Sequence, residues 1–509
     1  MRTGAADGPR GATGASPTVA PAGRRIASGP VGTRAISRAR PLGALVIVSV
    51  MAGALRLVSG VGFANYDSLY ALVWGQQLSR GQVPQYAIAL APTPHPLVEA
   101  LGLILSPLGP HTTEQVAVAL GYLSLSACGW VIFRLGECWF GRATGALGAL
   151  LLLTRVPILS YGARAYVDVP YMLFVLSALL VEARRPKAGA PVLVLLGLAG
   201  LLRPEAWAFS GLYWLYLAHR PRADGRRREL VRLAAIGAVA PALWMASDAL
   251  ITGDPLWSLL NTRHTAHTLV RITGIANVPV YIPRRIGEIL RPAVLVGAAL
   301  GGVLSLSWLR ARALPGALAG VLALAVFAAF ATLGLPINTR YAFLASAMLC
   351  VFCGAGACAW RRLPLGDRRR RGWAIASILL GLALLAQVPG QYRSADRELD
   401  NLAAQQVIQD DLVALVGSHA LSPRCGPVGV PNHRPVPLLA LRLRTSPNGV
   451  ISAQVSQLTR GTYVAPANAA VTARYTLDPH DPRRLTAAVP PGFRLVSSNR
   501  SWDVYQRCA

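Results

Sequence analysis

The chain has 509 residues, 53% hydrophobic and 14% charged, with a mean hydropathy of +0.44, which is too apolar for an ordinary soluble enzyme. Its net charge of +28 would suit nucleic acid if the basic residues formed patches with interleaved aromatics. Instead they sit in short clusters between apolar runs, the pattern of a polytopic membrane protein.

Residues 1–40 are rich in Gly, Ala, Pro and Arg without periodicity and predict a disordered basic cytoplasmic tail. The apolar run from Pro41 to about Gly60 approaches spanning length and lacks the short charged region and cleavage site of a secretory signal, so it predicts a retained first helix. A polar, Pro-rich loop follows at 61–111. Within it PLVEALGLILSPLG is too short to cross comfortably and predicts an interfacial helix. Further apolar runs lie at about 112–135, 143–160, 168–183, 188–202, 204–218, 230–251, 292–309, 313–334, 341–360 and 372–389, making eleven predicted spans.

Orientation follows from the basic bias of the short loops. With the N-terminus inside, the inner loops hold Arg134 and Arg142; Arg184, Arg185 and Lys187; Arg220 to Arg232; Arg310 and Arg312; and Arg361 to Arg371. The outer face then receives 61–111, the turn 161–168, the loop 252–291 and everything after about 390. The expected fold class is an all-α polytopic membrane protein of about eleven transmembrane helices in the plasma membrane, with a small extracytoplasmic α/β C-terminal domain at 391–509.

In that domain Leu399, Leu402, Ile408, Leu412 and Leu415 predict a helix over Asp396 to Val416. VGV, PLLALRLR, RLVSS and SWDVYQR read as short strands. Cys425 and Cys508 lie in this polar region and can form a disulfide if it is extracytoplasmic. The other cysteines (Cys128, Cys138, Cys350, Cys353 and Cys358) lie in or beside apolar runs as small buried thiols, and no metal site is read from their spacing.

Charges inside or beside spans usually mark a pathway or site. On the outer side they are Asp67, Glu99, Arg155, Arg164, Asp168, Arg203, Glu205, Asp248, Asp254 and Arg340. No GxxxxGK[ST] loop, dinucleotide fingerprint or Asp-x-Asp pair occurs, which argues against a cytoplasmic nucleotide site or a metal-bound nucleotide sugar.

Several segments in order, YDSLY with Asp67, TPHPL, RAYVDVPY with Asp168, GLLRPEAW with Arg203 and Glu205, TGDPLWSL, and NTRYAFL with Arg340 and Tyr341, resemble the GT-C superfamily of membrane glycosyltransferases, of mannosyl- and arabinosyltransferase type. The resemblance covers roughly residues 41–390. It implies a polyprenyl-phosphate-linked sugar donor, an extracytoplasmic glycan, lipid or protein acceptor, Asp67 as catalytic base, and Asp168 as the second-loop acid. A phosphate leaving group needs no general acid, so one carboxylate suffices, with inversion at the anomeric carbon. Arginines suit the departing phosphate, with Arg340 and Arg203 the first choices and Arg164 the third.

Plainer readings stand beside these. Asp67 or Asp168 is also suited to capping a helix start, Arg203 and Glu205 to a local ion pair at a break between spans, and Arg340 with Tyr341 to anchoring a helix end. His95, between Pro94 and Pro96, either touches the sugar or shapes the loop. His264 and His267 lack a third metal ligand. No cofactor is read from the chain, and a divalent cation is left open. The rival functions are a transporter or flippase of lipid-linked glycans and a non-catalytic cell-envelope scaffold.

Overall fold

In a computed structural model of the chain, residues 39–219, 226–421, 425–476 and 488–508 are described. The expected tail at 1–40 lies almost wholly outside them, as do Arg220 and Arg222 of the expected inner loop. The chain divides at Gly43 into two units, and the second, Ala44–Ala509, carries the helical bundle, the sheet and the site.

The first helices are α1 (Ala39–Ser59), α2 (Tyr66–Leu78), α3 (Pro96–Leu105), α4 (Pro110–Trp139), α5 (Arg142–Leu153), α6 (Val156–Ala163), α7 (Asp168–Arg184), α8 (Ala190–Gly200) and α9 (Glu205–Ala218). They are followed by α10 (Arg226–Thr252), α11 (Trp257–Thr268), α12 (Val278–Trp308), α13 (Arg310–Thr332), α14 (Phe343–Cys358), α15 (Arg368–Ala386) and α16 (Val388–Gly417). Among the described residues seven helical stretches are long and apolar enough to cross a membrane, or eight if α5 and α6, bent by 65°, form one span. The sequence predicts eleven. The difference lies in α7, α8 and α9, whose 17, 11 and 14 residues fall short of the roughly 20 needed to cross hydrocarbon unaided.

The bundle core is built from α4, α5, α7, α12 and α14, with Leu125, Ile132, Leu152, Leu176, Leu290, Met348 and Val351 at its centre. Small residues let these helices meet closely. A Cβ on Gly301 of α12 would run into the Phe352 carbonyl of α14. Helix α12 kinks at Arg291, which has φ 65° and precedes Pro292, since proline disfavours helical geometry in the residue before it. The predicted start of that span at 292 falls on this kink, and residues 278–290, expected in a loop, are helical.

Helix α16 continues from α15 and is longer than the predicted Asp396–Val416. Beyond it come β1 (Val428–Val430), α17 (Val436–Arg442), β2 (Val450–Ser452), β3 (Gly461–Pro466), β4 (Arg494–Ser498) and β5 (Trp502–Arg507). The sheet has the order β2-β1-β3-β5-β4, with β1 parallel to both neighbours and β5 antiparallel to β3 and β4. PLLALRLR, expected as a strand, is helix α17; a short unbroken apolar run carries no periodicity to separate the two, and Leu and Ala favour helix after a Pro start. Cys425 and Cys508 are disulfide-bonded.

Most of the expected loop 61–111 is ordered around α2, whose residues Ser68 to Gln77 are all buried. Leu69, Tyr70, Leu72, Val73 and Trp74 share one core with Leu412 and Leu415 of α16, Leu438 and Leu439 of α17, and Val430, Val464, Trp502 and Val504 of the sheet. Arg442 of α17 pairs with buried Glu114 of α4, and Glu114 also accepts the Ala64 amide at 3.3 Å. The C-terminal region thus completes the packing of the segment that carries Asp67.

Candidate active site

Asp67 stands at the second position of α2, and the cap is its neighbour Asn65, whose side chain accepts from the amides of Asp67 and Ser68. The Asp67 carboxylate is therefore spared from capping. The turn after α6 fixes this helix start: Asn65 donates to the Arg164 carbonyl and Ser68 Oγ to the Ala165 carbonyl, at 3.0 and 2.6 Å. Asp168 is likewise no cap, since the N-cap position of α7 is Val167 and makes no side-chain bond.

Five charged side chains form a ladder. Asp67 accepts from Arg340 Nη1 at 2.6 Å, and the same nitrogen lies 3.7 Å from Asp168 Oδ2. Asp168 also pairs with Arg203, and Arg203 with Glu205. Helix starts and breaks supply these groups: the beginnings of α2, α7 and α9, the Leu201–Pro204 break between α8 and α9, and the short turn Thr339–Ala342 before α14. The Tyr341 ring lies 4.1 Å from the Arg203 guanidinium carbon and 5.5 Å from that of Arg340, a cation–π arrangement that holds both planes. Burial pushes the Asp67 carboxyl up, but the charge and hydrogen bond of Arg340 outweigh it and hold the group below the usual carboxylate range.

The ladder borders a cavity of about 710 Å³. Asp67, His95, Arg203, Glu205, Arg340 and Tyr341 all line it. Asp168 does not; it sits behind the wall at 2% exposure, joined through the two arginines. Arg164 also stays outside, bonded to Ser160 Oγ at 2.8 Å and stacked over Tyr161 and Tyr166. Among the described residues no cluster of three or more His, Cys, Asp or Glu is placed to hold a metal ion.

Sequence reasoning passes over four basic side chains of the lining, Arg271, Arg285, His433 and Arg434. Arg285 bonds Glu288 at 2.9 Å. The Arg271 guanidinium has no hydrogen bond or ion pair among the described residues. His433 and Arg434 come from the C-terminal region, and only the proline-flanked PNHRP segment would have flagged them. Apolar side chains complete the lining, among them Trp207, Trp244, Leu259, Leu269, Phe330 and Leu335. Leu256 and Leu333 belong to the lining yet are 47% and 54% exposed, so an apolar rim opens the cavity outward.

No family model and no curated protein matches the chain. Among solved structures, ArnT from Cupriavidus metallidurans bound to undecaprenyl phosphate is similar with a TM-score of 0.57 and 15% identity, over 91% of this chain and 98% of that one. An archaeal oligosaccharyltransferase, AglB from Archaeoglobus fulgidus in complex with an inhibitory peptide and a dolichol-phosphate, gives a TM-score of 0.47 and 12% identity, over 81% of this chain and 64% of that one. At 15% identity across nearly the whole of both chains the first likeness is one of architecture: the chain shares the fold of that structure.

Proposed function

We propose that the protein is an integral-membrane glycosyltransferase that moves a sugar from a polyprenyl-phosphate donor to an extracytoplasmic glycan, lipid or protein acceptor. The observation that carries this reading is Asp67, paired with Arg340 at the wall of a cavity that guanidinium groups and apolar side chains line together. In this reading the plasma membrane is the host, the N-terminus is cytoplasmic and the C-terminal region is outside. Helices α7, α8 and α9 also enter the bilayer, giving eleven spans.

The residues divide the work. An acceptor hydroxyl attacks the anomeric carbon; a new carbon–oxygen bond forms as the bond to the phosphate oxygen breaks, and the electron pair leaves with the polyprenyl phosphate. Asp67 takes the hydroxyl proton. Arg340 and Arg203 are committed to Asp67, Asp168 and Glu205, so the leaving phosphate falls first to Arg271, whose charge has no such partner. Arg340 keeps Asp67 ionised, and Asp168 orients Arg340. The apolar rim suits an isoprenoid chain arriving from the bilayer.

The test is Asp67→Asn in membranes given radiolabelled polyprenyl-phosphate mannose or arabinose. Transfer should fall by about 10²- to 10⁴-fold, the usual worth of a general base. Undiminished transfer removes Asp67 from that role.

A further inference from the structure

His95 is held between Pro94 and Pro96 at the entrance to α3, and it is 7% exposed. Its backbone amide donates to buried Glu99 Oε1 at 3.1 Å, and its ring lies edge-on to Trp244 with centroids 6.3 Å apart. The segment is therefore clamped at the backbone, the ring and both flanking prolines.

The ring nitrogens face different partners. Nδ1 lies 2.8 Å from the Leu202 carbonyl oxygen. A carbonyl oxygen can only accept, so Nδ1 must carry the hydrogen. Nε2 has no hydrogen-bond partner among the described residues, is not sealed off in the protein, and belongs to a residue of the cavity lining. Burial, with Arg203 and Arg340 nearby and against the pull of Asp67, lowers the imidazole to about 4, so the ring is neutral near pH 7. Nε2 is then a bare lone pair presented to the cavity.

We infer that His95 Nε2 accepts a hydrogen bond from a hydroxyl of the transferred sugar, which makes His95 a specificity-determining residue. This assignment rests on the glycosyltransferase reading above and deepens it by naming the group recognised. A lone pair repels phosphate oxygens and attracts O–H, so the two residues take different groups: His95 the sugar, beside Asp67, and Arg271 the phosphate. The same lone pair selects against a sugar lacking that hydroxyl, because Nε2 would then be desolvated without a partner.

Two measurements test this on the full-length protein. With ¹⁵N-histidine labelling in lipid nanodiscs, and His95 assigned by its loss in His95→Gln, the imidazole should be protonated at Nδ1 and bare at Nε2; a proton on Nε2 overturns the inference without reference to activity. Monodeoxy analogues of the accepted polyprenyl-phosphate sugar provide the second. The wild type should lose roughly ten- to a hundredfold in kcat/KM for one analogue, and His95→Phe should show no such discrimination at that position while keeping it at the others. Equal discrimination by the two proteins at every position also overturns the inference. Failure of the wild type to use any polyprenyl-phosphate sugar overturns the functional reading and the sugar assignment with it, whereas normal turnover with the wrong tautomer or no coupling sinks this inference alone.

Discussion

Arg340 Nη1 lies 2.6 Å from Asp67 Oδ2, a charge-assisted hydrogen bond that joins the turn before α14 to the start of α2. Asp67 is favoured as carboxylate in the fold, because the guanidinium more than reverses the effect of burial. With its folded pKa below the unfolded one, the contribution of this group to stability is present above the ordinary carboxylate pKa of about 3.9. It is lost as pH falls through the depressed value. The acid limb of the kcat/KM profile should therefore lie below the ordinary carboxylate range, and Arg340→Gln should move it up, because the guanidinium that lowers the group is then gone. A pH–rate series on both proteins checks this.

Arg271 is expected to act on donor binding rather than on proton transfer. Removing one charge-assisted contact to phosphate costs about 1.5–3 kcal/mol, so Arg271→Gln should weaken displacement of a labelled polyprenyl phosphate by roughly ten- to a hundredfold, while melting as the wild type does. Unchanged affinity would return the phosphate to another guanidinium.

Glu99 accepts from Tyr86 Oη at 2.5 Å and from the His95 amide, and burial pushes its carboxyl up to about 7. A carboxyl raised in the fold binds more protons there than in the unfolded chain, so stability should fall as pH rises from about 4.5 to 7, by roughly 3 kcal/mol in total. Glu99→Gln should flatten that part of the stability profile; melting temperatures from pH 4.5 to 8 measure it.

Gly75 brings α2 against α3. A Cβ there would run into the Glu99 carbonyl and lie 2.6 Å from the Leu103 amide nitrogen, and neither backbone atom can swing away. Gly75→Ala should destabilise the protein by about 1–3 kcal/mol and impair transfer by displacing His95 and Glu99, whereas Gly81→Ala, with nothing within 4 Å but φ +67°, carries only a backbone penalty. Thermal unfolding of the two variants separates crowding from strain.

The order and position of the long helices are legible because apolar runs and arginine clusters report on local sequence. Polar residues next to spans draw attention to Asp67, Arg203 and Arg340, since charge at that depth is costly. What lies between them is not legible. The ladder joins residues 67, 168, 203, 205 and 340, and nothing in one sequence states that these loops meet. Nor does the sequence mark α2 as buried, because an external position in the topology implies solvent, whereas the C-terminal region covers it. Arg271, His433 and Arg434 escape notice for the same reason: each sits in a segment whose own composition reads as an ordinary surface loop.

The shared core of α2 and the C-terminal sheet imposes an order of events on biosynthesis. Residues 64–86 leave the ribosome early, yet their packing partners extend to Val504. The segment bearing Asp67 must wait, partly uncovered, until the strands that reach Val504 have been made, so the ladder gains its full packing late, and a product stopped short of those strands would lack a finished site even though every residue of the ladder had already been made.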